Sequence, residues 1–195
     1  MMKFSRLVFC AMLCLLLANQ AKASLIYFDA LLSGNQEVPS VTTSAVGSGM
    51  FILDTVAMSL DYDISIIGLD LDGSQSQDVA DDVTGIHFHS APSGANGAMA
   101  FGVLNPNHDL DDRLIDPILG TITGTWDGVE GLTTLSDNIA QLMANSFYIN
   151  VHTLASPAGE IRGQIIARQQ IPEPNILWLL AFAVLLILPR ARRMR

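Results

Sequence analysis

Cysteine is nearly missing from these 195 residues: there are two, Cys10 and Cys14, both in the first apolar stretch. Positive charge is almost as scarce in the middle of the chain. Between Ser24 and Arg168, three arginines (Arg113, Arg162 and Arg168) face eighteen of the nineteen Asp and Glu residues, a surplus of fifteen negative charges. Such a surface repels nucleic acid and anionic lipid and attracts cations, so binding to DNA or RNA is excluded. There is no Gly-x-Ser-x-Gly elbow, no phosphate loop and no dinucleotide fingerprint, which leaves hydrolase and nucleotide-dependent chemistry without residues to stand on. No internal repeat is visible, and the one linker is the polar Arg168-Gln169-Gln170.

What is present begins with an export pattern. Lys3 and Arg6 make a basic start, Leu7 to Ala18 is apolar, and Ala21-Lys22-Ala23 has the small-x-small form that signal peptidase reads. Residues 1–23 are therefore expected to be a signal helix cut after Ala23. Both cysteines leave with it, and the exported chain keeps no thiol, no disulfide and no cysteine metal ligand. Residues 24–168 have the length of one domain able to bury its own core.

The other end carries Pro172-Glu173-Pro174, an apolar run from Ile176 to Leu188 with Trp178 near its start, Pro189, and then Arg190, Arg192, Arg193 and Arg195. Thirteen helical residues at roughly 1.5 Å each span about 20 Å, short of the roughly 30 Å hydrocarbon core of a bilayer. The arginines suit a marginal, temporary anchor whose positive end stays on the cytoplasmic side. A buried C-terminal helix of a soluble domain is the alternative, but it gives no reason for the bare arginine cluster. Residues 169–195 resemble the PEP-CTERM sorting signal of Gram-negative bacteria. The resemblance implies a hydrophobic helix passing through the inner membrane, cleavage by exosortase near Pro-Glu-Pro, and delivery to the cell envelope, surface or exterior.

Between the two ends the pattern is mostly strand. Leu25 to Leu32, Gly47 to Leu53, Met58 to Ile67, Val83 to His89, Met99 to Leu104, Ile118 to Trp126, Phe147 to Thr153 and Glu160 to Ala167 are short, rich in β-branched or aromatic residues, and bounded by Gly, Pro, Asn, Asp and Ser. Leu60 to Ile66 alternates strictly, apolar on one face and polar on the other. This predicts a mainly β fold, an antiparallel sandwich or barrel with one wet face. Thr134 to Ala144 alone looks helical, with Thr134 or Ser136 as N-cap, Asp137 in the first turn, the spacing Leu135, Ile139, Leu142, Met143, and Asn145 at the exit.

Four blocks carry a family resemblance: Phe28 to Pro39 (FDALLSGNQEVP), Gly85 to His89 (GIHFH), Tyr148 to Thr153 (YINVHT) and Pro157 to Gln164 (PAGEIRGQ). Together they resemble the CHRD domain, the module named after chordin, in family order and over nearly all of residues 24–168. The departures are loops, an acidic stretch from Asp70 to Asp82 and an insertion from Asn107 to Asp116. The resemblance implies an immunoglobulin-like or superoxide-dismutase-like Greek-key fold rather than an activity.

Histidine carries the chemistry. On a strand, His87 and His89 share one face about 6.8 Å apart while Ile86 and Phe88 take the other. Phe147, Ile149 and Val151 point inward, so Tyr148, Asn150 and His152 share the opposite face, and His152 is free to join the pair. Two imidazoles at i and i+2 plus a third from another strand either hold copper or zinc, or form a hydrogen-bonded cluster with Asn150 and Thr153. The set is similar to the copper ligands of copper/zinc superoxide dismutase, which also come from a His-x-His strand and a distant Val-His strand. For the bridging histidine and zinc-site aspartate of that enzyme, only His108 and Asp109 offer themselves, with no pattern behind them. Catalysis would further require an open coordination position and a substrate path.

Weaker signals remain. Asp70-Leu71-Asp72-Gly73-Ser74, followed by Asp78, Asp81 and Asp82, begins like a calcium loop but lacks its terminal Glu, and a solvated acidic loop is the plainer account. Glu160 and Arg162 read as a structural charge pair to a neighbouring strand, with Glu37 as a candidate partner. Two classes of function follow. One is a non-enzymatic envelope or extracellular-matrix module that binds polysaccharide, matrix protein or cations, with signal peptidase and exosortase as processing partners. The other is a metal-binding periplasmic or surface protein, superoxide-dismutase-like in its ligands.

Overall fold

The structure, a computed structural model, describes residues 25–168 apart from 107 and 129. The expected signal peptide to Ala23 and the expected sorting tail with Pro172, Glu173, Pro174, Arg190, Arg192, Arg193 and Arg195 lie outside the described residues. Among the described residues, no helix is long and apolar enough to cross a membrane.

Ten strands form one antiparallel sheet: β1 (Leu25–Ser33), β2 (Val46–Asp54), β3 (Ser59–Ile67), β4 (Val83–Ser90), β5 (Ala98–Leu104), β6 (Leu114–Asp116), β7 (Thr121–Trp126), β8 (Phe147–Thr153), β9 (Ile161–Gln164) and β10 (Ile166–Ala167). Their order is β5-β4-β8-β9-β1-β2-β3-β7-β6, with β10 also on β1. The sheet curls on itself as a half-barrel, in keeping with the expected sandwich or barrel. Aromatic contacts across the interior show the curl. Phe51 of β2 meets Phe88 of β4 edge-on at 5.6 Å, and Phe101 of β5 stacks on Trp126 of β7 at 4.8 Å. Such offset and T-shaped pairs add to plain area burial because ring edges and faces carry opposite partial charge.

The alternation of β3 holds, with Leu60, Tyr62, Ile64 and Ile66 buried and Asp61 and Asp63 exposed. The wet-face expectation fails on β8 and β9, where all but His152 of the two strands' residues are buried. Loops lie over their second face. Asn96 Nδ2 donates to Val38 O at 2.8 Å, joining two of the covering loops, and Gln164 Nε2 of β9 donates to Ala91 O at 3.1 Å from beneath.

The helix α1 (Leu135–Met143) starts at Thr134, whose hydroxyl accepts from Asp137 N at 3.2 Å, and buries Leu135 and Leu142. Asn145 follows it with φ +55. Two edges differ from the sequence pattern. Ile118 to Gly120 is a turn rather than the start of β7, because the Asp116 carboxylate accepts from the N–H of both Ile118 and Leu119 at 3.0 Å. The last strand divides at Ile165 into β9 and β10.

Candidate metal centre

β4 lies between β5 and β8, and its register sets His87 opposite Asn150 and His89 opposite Tyr148, with Gly85 opposite His152. Directly paired residues share a face, so the three imidazoles meet beneath the covering loops. Ring centroids stand 4.7 Å apart for His87 and His152, 5.8 Å for His87 and His89, and 6.2 Å for His89 and His152. One nitrogen from each ring falls within 4.8 Å of the other two. Gly85 makes room for this: a Cβ there would sit 2.9 Å from His87 Cε1 and 3.1 Å from Asn105 O.

A backbone carbonyl fixes each ring. His87 Nε2 faces Asn105 O at 3.0 Å, His89 Nδ1 faces Gly97 O at 3.1 Å, and His152 Nδ1 faces Pro157 O at 3.0 Å. A carbonyl only accepts, so each of these nitrogens carries the hydrogen. In the neutral rings the lone pairs are then on His87 Nδ1, His89 Nε2 and His152 Nε2. His87 Nδ1 and His152 Nε2 lie 3.0 Å apart, and His89 Nε2 is buried without a hydrogen-bond partner. Burial drives all three imidazoles toward the neutral form, His89 as far as about 4, with the neighbouring imidazoles adding to the effect at His89 and His152.

Behind His89 stands a column that the strand pattern did not reveal. The Tyr148 ring stacks on His89 at 4.9 Å and 6°, and Arg162 Cζ lies 3.4 Å from the Tyr148 centroid. Arg162 is 1% exposed and donates to Ala95 O at 2.6 Å and Asn96 Oδ1 at 3.1 Å. The expected Glu160 and Arg162 charge pair is therefore corrected. Glu160 precedes β9 and accepts from the hydroxyls of Thr43 and Thr153, while Arg162 spends its donors on neutral oxygens and an aromatic face. Glu37 is the carboxyl whose charge Arg162 does influence. Burial pushes Glu37 up to about 7 against the pull of Arg162. Its Oε1 and Asn150 Oδ1 are buried without partners, and both lie within 2.6 Å of where a Cβ on Gly159, at φ +131, would stand. Asn150 donates only a long bond, 3.4 Å to Ala158 O.

The other candidates are not brought to the trio as ligands. His108 stands near it, its Nδ1 accepting from Gly102 N at 2.8 Å. Asp109 turns inward, where it accepts from the Tyr62 hydroxyl and from Arg113 N. It groups instead with Asp111 and Glu130. Asp70, Asp81 and Asp82 also cluster, but the Asp70 carboxylate already accepts from five backbone N–H groups, Asp72 to Ser76. Burial pushes Asp70 up, and those N–H groups outweigh it and hold the carboxyl at about 2. The loop closes on its own backbone, as a solvated acidic loop does.

The stack of Tyr148 and Arg162 behind His89 was not legible in the sequence because strand alternation assigns a face but not the loop that covers it. The run Ala91 to Gly97, rich in small residues, Asn and Gly, held the signal that a loop folds back over the strand pair. Comparison with curated proteins and with solved structures finds no match. The CHRD domain family matches residues 28–165, from within β1 to just past the end of β9, and the chain belongs to the CHRD family.

Proposed function

We propose that this CHRD domain is an exported envelope or extracellular-matrix module that binds one copper or zinc ion through His87 Nδ1, His89 Nε2 and His152 Nε2. One observation carries the proposal: three carbonyl-anchored neutral rings turn their lone pairs on one another, two of them 3.0 Å apart. Facing lone pairs repel unless a proton or a metal ion lies between them, and burial opposes the proton. Outer carbonyls that fix the tautomer are the usual second shell of a histidine metal site. Ligands at about 2.0–2.1 Å from a common ion stand about 3.3–3.6 Å apart, so ring rotations of an ångström or so assemble the set.

The export half rests on sequence. The signal peptide ending at Ala23, the Pro172-Glu173-Pro174 tail and its arginines support passage through the inner membrane, handling by signal peptidase and exosortase, and an extracellular polysaccharide or matrix protein as neighbour. A surplus of negative charge keeps such a domain soluble and draws cations towards it.

Metal analysis of the purified protein tests the first half, with an expected uptake of about one ion per chain through imidazole nitrogen. Equal uptake by a His87→Ala, His89→Ala, His152→Ala variant would rule the site out. For the second half, mass spectrometry of the envelope fraction is expected to find a chain starting at Ser24 and ending near Pro-Glu-Pro. An intact chain in the cytosol would refute export.

A further inference from the structure

We propose that the three-histidine site selects copper in its monovalent state, and that Arg162 is the residue that turns it against divalent ions. This rests on the metal reading above and adds a specificity and the residue that sets it.

The donor set gives the first reason. A carbonyl fixes the tautomer of each ring, and among the described residues no carboxylate or thiolate joins the trio. A bound ion therefore keeps its full formal charge in a half-buried site. The cost of burying charge rises with its square, about fourfold from one positive charge to two.

Coordination number gives the second. Three nitrogens suit the filled d shell of Cu(I), which is content with trigonal coordination. Structural Zn²⁺ asks for a fourth protein donor and Zn²⁺ on three histidines for a bound water, and Cu(II) prefers a tetragonal set of four or more.

The third reason is Arg162. β8 lies between β4 and β9, so the Tyr148 ring is sandwiched with His89 on one side and the guanidinium on the other. A full positive charge thus stands one aromatic ring behind a ligand. It cannot swing away, because Ala95 O and Asn96 Oδ1 hold it in a pocket that leaves the residue 1% exposed. The neighbouring carboxyl, Glu37, is pushed by burial toward its neutral form and leaves that charge standing. Repulsion between Arg162 and the ion scales with the ion's charge, so it falls twice as hard on Cu(II) and Zn(II) as on Cu(I).

Competition titrations of the full-length protein at pH 6.5 test this. Cu(I) is titrated under reductant against bathocuproine disulfonate, and Cu(II) and Zn(II) against nitrilotriacetate. Cu(I) is expected to bind about a hundredfold tighter than either divalent ion. Arg162→Gln should narrow the Cu(I)-to-Cu(II) ratio about tenfold, while Arg162→Lys, which keeps the charge, should hold it within a few-fold. Divalent binding as tight as that of Cu(I) in the unmodified protein would overturn the proposal even if the buried-arginine variants do not fold. A ratio equally insensitive to Arg162→Gln and Arg162→Lys would remove Arg162 from it. If no metal binds in any form, the underlying metal reading fails instead, and the two failures are told apart.

Discussion

The two faces of β4 and β8 are both largely shut off from water, one by aromatic rings and the other by loops presenting carbonyls. Ile86, Phe88, Phe147, Ile149 and Val151 enter a core where Phe88 alone meets Phe51, Tyr62, Phe101 and Trp126. On the other face His87, His89 and His152 each meet one named oxygen, and His89 Nε2, Asn150 Oδ1 and Glu37 Oε1 are left without a partner. The apolar face is redundant and non-directional. The polar face is specific and incompletely satisfied, which is how a fold carries a site at the expense of its own stability.

The largest test of this contrast is Phe51→Ala. Phe51 is fully buried and meets Phe88 edge-on. Its removal should cost about 3–5 kcal/mol in urea denaturation, yet leave the metal stoichiometry of the folded fraction unchanged. Lost stoichiometry in folded protein would mean that the two faces are coupled through Phe88.

Acid should act on the polar face alone. The histidines have folded-state pKa values below their ordinary 6.5, so the unfolded chain binds protons that the native one refuses. Their contribution is full above pH 6.5 and is lost as pH falls towards about 4, by up to about 3 kcal/mol for His89. In a Glu37→Gln background, free of the opposing Glu37 titration, metal-free protein should therefore show a urea midpoint that drops between pH 6.5 and 4.5, and the triple alanine variant in that background a flatter profile. Identical profiles would show that the imidazoles are wetter than their loops imply.

Glu37 works in the opposite sense. Its folded pKa of about 7 lies above the ordinary 4.5, so its contribution is full below pH 4.5 and lost as pH rises through 7. Glu37→Gln removes the titration and supplies an amide donor near Asn150 Oδ1. The variant should match the unmodified protein at pH 4 and exceed it by about 1–3 kcal/mol at pH 8. A variant weaker at pH 8 would show that ionised Glu37 and Arg162 form a productive pair.

The aromatic face was legible in the chain and the polar face only by half. Alternation in β3 and β4 gives the inward residues directly, and β8 is bounded as read, Phe147 to Thr153. β6 was invisible because three residues, Leu114 to Asp116, make too short a run, and Leu114 is 70% exposed, so its hydrophobicity does not report burial. The histidine trio follows from period-2 spacing. Its anchors do not, because a backbone carbonyl has no sequence signature: Asn105 O, Gly97 O and Pro157 O belong to loops whose course is set by tertiary contacts. Arg162 was read as part of a strand-to-strand charge pair for the same reason. An arginine on a strand is exposed by default, and only the loop from Ala91 to Gly97 buries it over Tyr148.

The smallest effect is the sharpest discriminator. His89→Phe keeps a flat ring to stack on Tyr148, removes the buried unpartnered Nε2, and gives up one bond to Gly97 O. Losing an unsatisfied buried nitrogen and losing a satisfied one pull in opposite directions by similar amounts. Stability of the metal-free protein at pH 7 should therefore stay within about 1 kcal/mol of the unmodified chain, while metal binding disappears with the third ligand. If stability instead falls by as much as for Phe51→Ala, His89 is part of the structural core, and the two faces of β4 are not divided between stability and function as their contacts indicate.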